Sequence, residues 1–149
     1  MIRLLSGFAL LAAPLLADSI PSGWIVLKEK TNACQIAAPA DFKSDATTPS
    51  LAKGPGDAVE VQVFSSPSPV RPLNERVAKA MGIEKIFENT DKRVFYADKP
   101  AKVITGQVIA GWHVKIPRGG GSCFAVITLT PAGSEDLAKK IAATIGPAK

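Results

Sequence analysis

Residues 106–130 read GQVIAGWHVKIPRGGGSCFAVITLT, and this run decides the fold because strand, turn and strand signals follow one another in it without ambiguity. Val108, Ala110, Trp112, Val114 and Ile116 alternate with Gln107, Ile109, Gly111, His113 and Lys115, the period of two that marks a strand with one buried face. The pattern points Trp112 at the core and His113 away from it. The next strand, Ser122 to Thr130, is apolar on both faces, with Cys123, Ala125, Ile127 and Leu129 on one side and Phe124 and Val126 on the other. Such a strand belongs in the middle of a sheet. Pro117 to Gly121 is then the hairpin loop, its glycines free to take positive φ.

Downstream, Ser134 is a good N-cap, Glu135 and Asp136 complement a helix N-terminus, and Leu137, Ile141 and Ile145 form one apolar stripe with Ala138 and Ala142 beside it. Gly146-Pro147 stops this helix. Upstream, Trp24–Leu27 and Ala33–Ala38 read as a first hairpin, residues 43–57 as a long surface loop, and Ala58–Phe64 as a strand with Val59, Val61 and Val63 inward. The proline-rich Ser65–Pro69 is an extended connector. Pro72–Met81 reads as a short helix with Leu73, Val77 and Ala80 or Met81 on its apolar face, and three short strands follow at Lys85–Glu88, Arg93–Ala97 and Lys102–Thr105. This order predicts an α+β fold, an antiparallel sheet with helices packed on it.

The chain's 149 residues are 46% hydrophobic and 21% charged, an ordinary globular composition. Its beginning is different: Arg3 supplies a positive start, Leu4–Leu16 is an apolar run, and Ala17 is small, which together read as a secretory signal peptide over residues 1–17. That run is shorter than the roughly 20 residues of a membrane span, so no stable span is expected once it is removed. Residues 18–149 form one domain. A periplasmic or secreted location follows. The net charge of +5 is dispersed along the chain, with no basic run interleaved with aromatics, so nucleic acid is not an expected partner.

Cys34 and Cys123, in an exported chain, are most simply one disulfide, closing a loop of about 90 residues. Two buried free thiols and a catalytic or metal-binding pair are the alternatives. His113 is the single histidine, so a Ser-His-Asp arrangement has one possible base, on an exposed strand face. As a metal ligand it would need Cys34, Met81 or Cys123 brought to it by folding, and copper would be the metal. Glu84, Glu88 and Asp91 could line a cleft as an acid/base pair, but nothing in the pattern marks them for it and a solvated edge is the default reading. Gly119-Gly120-Gly121-Ser122 lacks the lysine of a phosphate loop and begins no helix. No cofactor is indicated. Trp24 and Trp112 read as core anchors; an exposed Trp24 would mark, with His113, a partner surface.

The sequence resembles the PsbP-like family, which includes the extrinsic protein of the photosystem II oxygen-evolving complex, exported bacterial relatives and a Ran-binding nuclear import factor of the same fold. The likeness is carried by Trp24, by Asn32-Ala33-Cys34-Gln35-Ile36-Ala37-Ala38-Pro39-Ala40-Asp41-Phe42, by Val59-Glu60-Val61-Gln62-Val63, by the helix after Pro72-Leu73, and by the run from Trp112 through Phe124 to the helix ending at Ile145. It implies an α/β/α sandwich and a non-enzymatic binding or accessory role toward a protein or envelope component. A small metal-handling or thiol-redox protein using Cys34, Cys123 and His113 is the second reading, and a small hydrolase the third.

Overall fold

The computed structural model describes residues 20–149; the expected signal peptide over residues 1–17 lies outside them. Two antiparallel sheets are built from β1 (Ile25–Lys28), β2 (Cys34–Ala38), β3 (Lys43–Ser44), β4 (Leu51–Lys53), β5 (Val59–Ser66), β6 (Ile83–Asn89), β7 (Val94–Asp98), β8 (Ala101–Lys102), β9 (Val108–Arg118), β10 (Gly121–Leu129) and β11 (Gly146–Pro147). The large sheet has the order β3-β4-β5-β10-β9-β7-β6, with β8 paired to β9, and the small sheet the order β1-β2-β11. Two α-helices complete the described residues, α1 (Glu75–Ala80) and α2 (Glu135–Ala142).

This corrects the fold class expected from the sequence. Strand takes 45% of the described residues and helix 13%, so the molecule is a β-rich fold and not an α+β sandwich with helices layered on the sheet. The physical reason lies in what covers the large sheet's inner face. Val61, Val63, Ala125 and Ile127 bury against Leu27, Ile36 and Ala38 of the small sheet, and α2 adds only Ala138, Ile141 and Ala142 to the same cluster. Each fully buried Ile or Val contributes roughly 1.5–3 kcal/mol of transfer free energy, and the Ile and Val side chains of the cluster other than Ile141 and Ile145 all lie on strands. α1 is six residues long and buries one, Ala78, while Val77 and Met81, expected on its apolar face, are exposed.

The central hairpin is tighter than expected. β9 runs through Pro117 to Arg118 and pairs with Gly121, leaving Gly119-Gly120 as the turn, with Gly119 at φ +39°. A Cβ on Gly121 would stand 2.1 Å from Ser66 O of β5, so that glycine is what lets β10 close on its other neighbour. β5 correspondingly runs on to Ser66, into the stretch read as a connector. Residues 43–57, expected as an open loop, hold β3, β4 and a 3-10 turn at Pro55–Asp57. Their short, polar strands carry no clear period of two, which is why the pattern is silent there.

The C-terminus closes the small sheet. α2 is capped by Ser134, whose Oγ accepts from Leu137 N at 3.2 Å, and Gly146-Pro147, expected only to stop the helix, becomes the two-residue strand β11 on β2. Where β11 stops short, Thr144 replaces it: Ala37 N donates to Thr144 Oγ1 at 2.8 Å. Cys34 of β2 and Cys123 of β10 are joined by a disulfide with Cα atoms 5.5 Å apart, so the central strands of the two sheets are covalently tied.

Candidate functional site

The period of two along β5, β10, β9 and β7 leaves a second set of side chains on the face opposite the core. Register puts Val94, Lys115, Phe124 and Phe64 in one row across the sheet, and Tyr96, His113, Val126 and Gln62 in the next. Phe64 and Phe124 stack at 4.8 Å, and Lys115 Nζ lies 5.7 Å from the centre of the Phe124 ring. Tyr96 stacks on His113 at 4.7 Å. Cross-strand aromatic pairs of this kind stiffen a sheet face and give it broad apolar area with polar tips.

His113 Nε2 meets Asp98 Oδ2 at 2.7 Å. Gly111 makes room for this bond, since a Cβ there would lie 3.0 Å from both atoms. Burial raises the Tyr96 phenol above its usual range, and the nearby Asp98 carboxylate raises it further. The hydroxyl therefore stays a neutral donor and acceptor at physiological pH. From residues 67–74, Arg71 and Leu73 reach over the same face, the latter held by a pair of hydrogen bonds: Leu73 N donates to Asn89 Oδ1 at 2.6 Å and Asn89 Nδ2 to Leu73 O at 3.0 Å. The result is a cavity of about 280 Å³ lined by Arg71, Leu73, Tyr96, His113, Lys115 and Phe124 among others. Three cationic or protonatable groups surround an aromatic floor.

The structure separates the residues that the sequence grouped as a metal or thiol site. Cys34 and Cys123 are bonded to each other and fully buried, Cys123 on the inner face of β10, while His113 is on the outer face of β9. Met81 is exposed at the end of α1. Among the described residues no three His, Cys, Asp or Glu side chains come together as a metal site. Glu88 pairs with Arg93 at 3.5 Å, and Glu84 and Asp91 are solvated, so these acids line no common cleft. Trp24 is partly buried against the core cluster, on the other side of the large sheet from His113.

Asp98, Tyr96, Lys115 and Arg71 were not legible as site residues. Asp98 falls one residue past the strand that the pattern marks, and its partner is diagonal, so only the β7–β9 register reveals the pair.

A second concavity, about 1040 Å³, runs between β1 and residues 42–50. At its rim Glu29 is 6% exposed. Burial would raise its carboxyl, but hydrogen bonds from Thr31 Oγ1, Thr31 N, Ala33 N and Cys34 N outweigh that and hold it at about 2. Glu29 is thereby a fastener of the β1–β2 turn, in which Asn32 takes φ +56°.

No family model matches the chain, and no curated protein matches it significantly. Among solved structures, a crystal structure from Bacteroides thetaiotaomicron VPI-5482 at 1.50 Å resolution superposes with a TM-score of 0.51 and 11% sequence identity, covering 78% of this chain and 45% of that one. This chain thus spans less than half the length of that protein, and the likeness at this identity is one of fold alone.

Proposed function

We propose that the chain is a periplasmic or secreted, non-enzymatic binding or accessory module that contacts a protein or an envelope component through the outer face of its large sheet. The observation that carries this reading is that face: an aromatic surface of Phe64, Phe124 and Tyr96 with Lys115, Arg71 and His113 around a preformed cavity. Rigid aromatic anchors beside cationic groups are what partner surfaces are made of. Export is supported by the leader-like residues 1–17 and by the disulfide, since such bonds persist in oxidising compartments. No helix among the described residues is long and apolar enough to cross a membrane. His113 Nε2 meets Asp98, but among the described residues no serine, threonine or cysteine is hydrogen-bonded to the ring, so no nucleophile–base pair is assembled there.

The test is site-specific photo-crosslinking in the native envelope. A photoreactive side chain at position 115 should give one discrete adduct that Arg71→Glu abolishes, and one at position 132, on an exposed turn, should give none. Equal labelling from both positions, or a chain retained in the cytoplasm with residues 1–17 attached, would defeat the reading.

A further inference from the structure

The two sheets end in free edges that border the same groove. Glu29 N donates to Cys34 O at 3.2 Å, and β1 pairs with β2 in the register Leu27↔Ile36, Ile25↔Ala38. Antiparallel ladders bond alternate residues, so Ile25 and Leu27 face β2 while the N–H and C=O groups of Val26 and Lys28 point the other way. β1 is the outermost strand of its sheet on that side. Asp45 N donates to Leu51 O at 2.9 Å, and β3 pairs with β4 as Lys43↔Lys53. By the same alternation Ser44 turns its backbone groups outward, and β3 is the outermost strand of the large sheet. Val26, Lys28, Lys43 and Ser44 all line the 1040 Å³ groove.

We infer that this groove takes an extended, acidic peptide segment, added as a strand to the free edge of β1. An open edge is a template for one more strand, and Val26, 43% exposed, offers it an apolar contact. Charge selects the partner. Lys28, Lys30 and Lys43 line the groove, Lys28 making one exposed bond to Lys149 O at 3.1 Å, while the groove's one carboxylate, Glu29, is committed to the hydrogen bonds of its own turn. Val26 and Lys28, two apart on β1, share its exposed face, so a bound segment with an acidic and an apolar residue two apart would set the carboxylate against Lys28 and the apolar side chain on Val26. This surface is separate from the outer face around His113, so either can fail without the other.

The experiment uses the disulfide-bonded protein and a labelled eight-residue peptide of repeating Glu-Ser-Val-Ser, with amide hydrogen exchange and fluorescence anisotropy as readouts. Saturating peptide should slow exchange at Val26 and Lys28 and leave Leu27 unchanged. A Lys-Ser-Val-Ser repeat, and the Glu-Ser-Val-Ser peptide N-methylated on the bonding edge, should each bind about tenfold more weakly or worse. Lys28→Glu/Lys43→Glu should weaken the acidic peptide similarly, and Val26→Pro, which removes an outward donor from an edge strand, should do so without touching charge. Equal binding of all three peptides, or binding with Val26 and Lys28 unprotected, overturns the proposal. So does concentration-dependent protection of Val26 without peptide, which would make a second copy of the chain the occupant.

Discussion

His113 and Asp98 meet diagonally across β9 and β7: Tyr96, not Asp98, is the register partner of His113, and the imidazole leans along its own strand to close the 2.7 Å bond. The lean depends on Gly111, whose missing side chain is the space the pair occupies. Gly111→Ala should break the bond and lower stability by about 1 kcal/mol. A proton–nitrogen correlation of the imidazole and a urea midpoint would show both effects; an unchanged imidazole signal would mean that the pair accommodates the methyl.

The disulfide closes a loop over a sequence separation of 89, for which the chain-entropy model gives roughly 4–5 kcal/mol as an upper figure. Cys34→Ala/Cys123→Ala should therefore lose several kcal/mol in urea unfolding, and the loss should match that of the reduced wild type.

Glu29 gives the fold a pH dependence of definite sign. Its carboxyl sits at about 2 when folded against an ordinary 4.5, because of the hydrogen bonds it accepts in the turn. The unfolded chain takes up this proton first as pH falls, so the contribution is complete above 4.5 and is lost on acidification through about 2. With allowance for solvent at the rim of the turn it is worth about 2 kcal/mol. Glu29→Gln should be less stable at neutral pH and show a flatter stability profile across this window.

Thr144 stands in for a missing stretch of strand, receiving Ala37 N and donating in its turn to Ile141 O at 2.7 Å. Thr144→Val keeps the volume and strands a buried amide, at a cost of about 2 kcal/mol. Thr144→Ser should restore most of it, and equal thermal midpoints for the two variants would refute the role.

The β9–β10 hairpin was readable because both strands are long enough for a period of two to show, and its two faces became the two sides of the molecule: Trp112 and Cys123 inward, His113 and Phe124 outward. The disulfide was readable from the leader-like pattern of residues 1–17 and the cysteine number. What covers the inner face was not. Ala33–Ala38 looks like any short strand, and only its placement, with all five residues of β2 buried, shows that a second sheet rather than a helix layer does the covering. The PsbP-like resemblance pointed toward helices, since hydrophobic spacing says that a face is buried without saying by what. The Asp98–His113 pair and the free edges of β1 and β3 depend on register between segments far apart in sequence, a quantity no local pattern carries.

The Cys34–Cys123 bond also decides what a protease can accomplish. The exposed stretches at residues 67–69 and 104–107 both lie between the cysteines. A single cut in either opens the backbone yet leaves both fragments fastened through the centre of the core. Nicked molecules would stay in one piece, heavier only by the water of hydrolysis, until reduced, so in a protease-rich compartment the protein can be scarred without being shed.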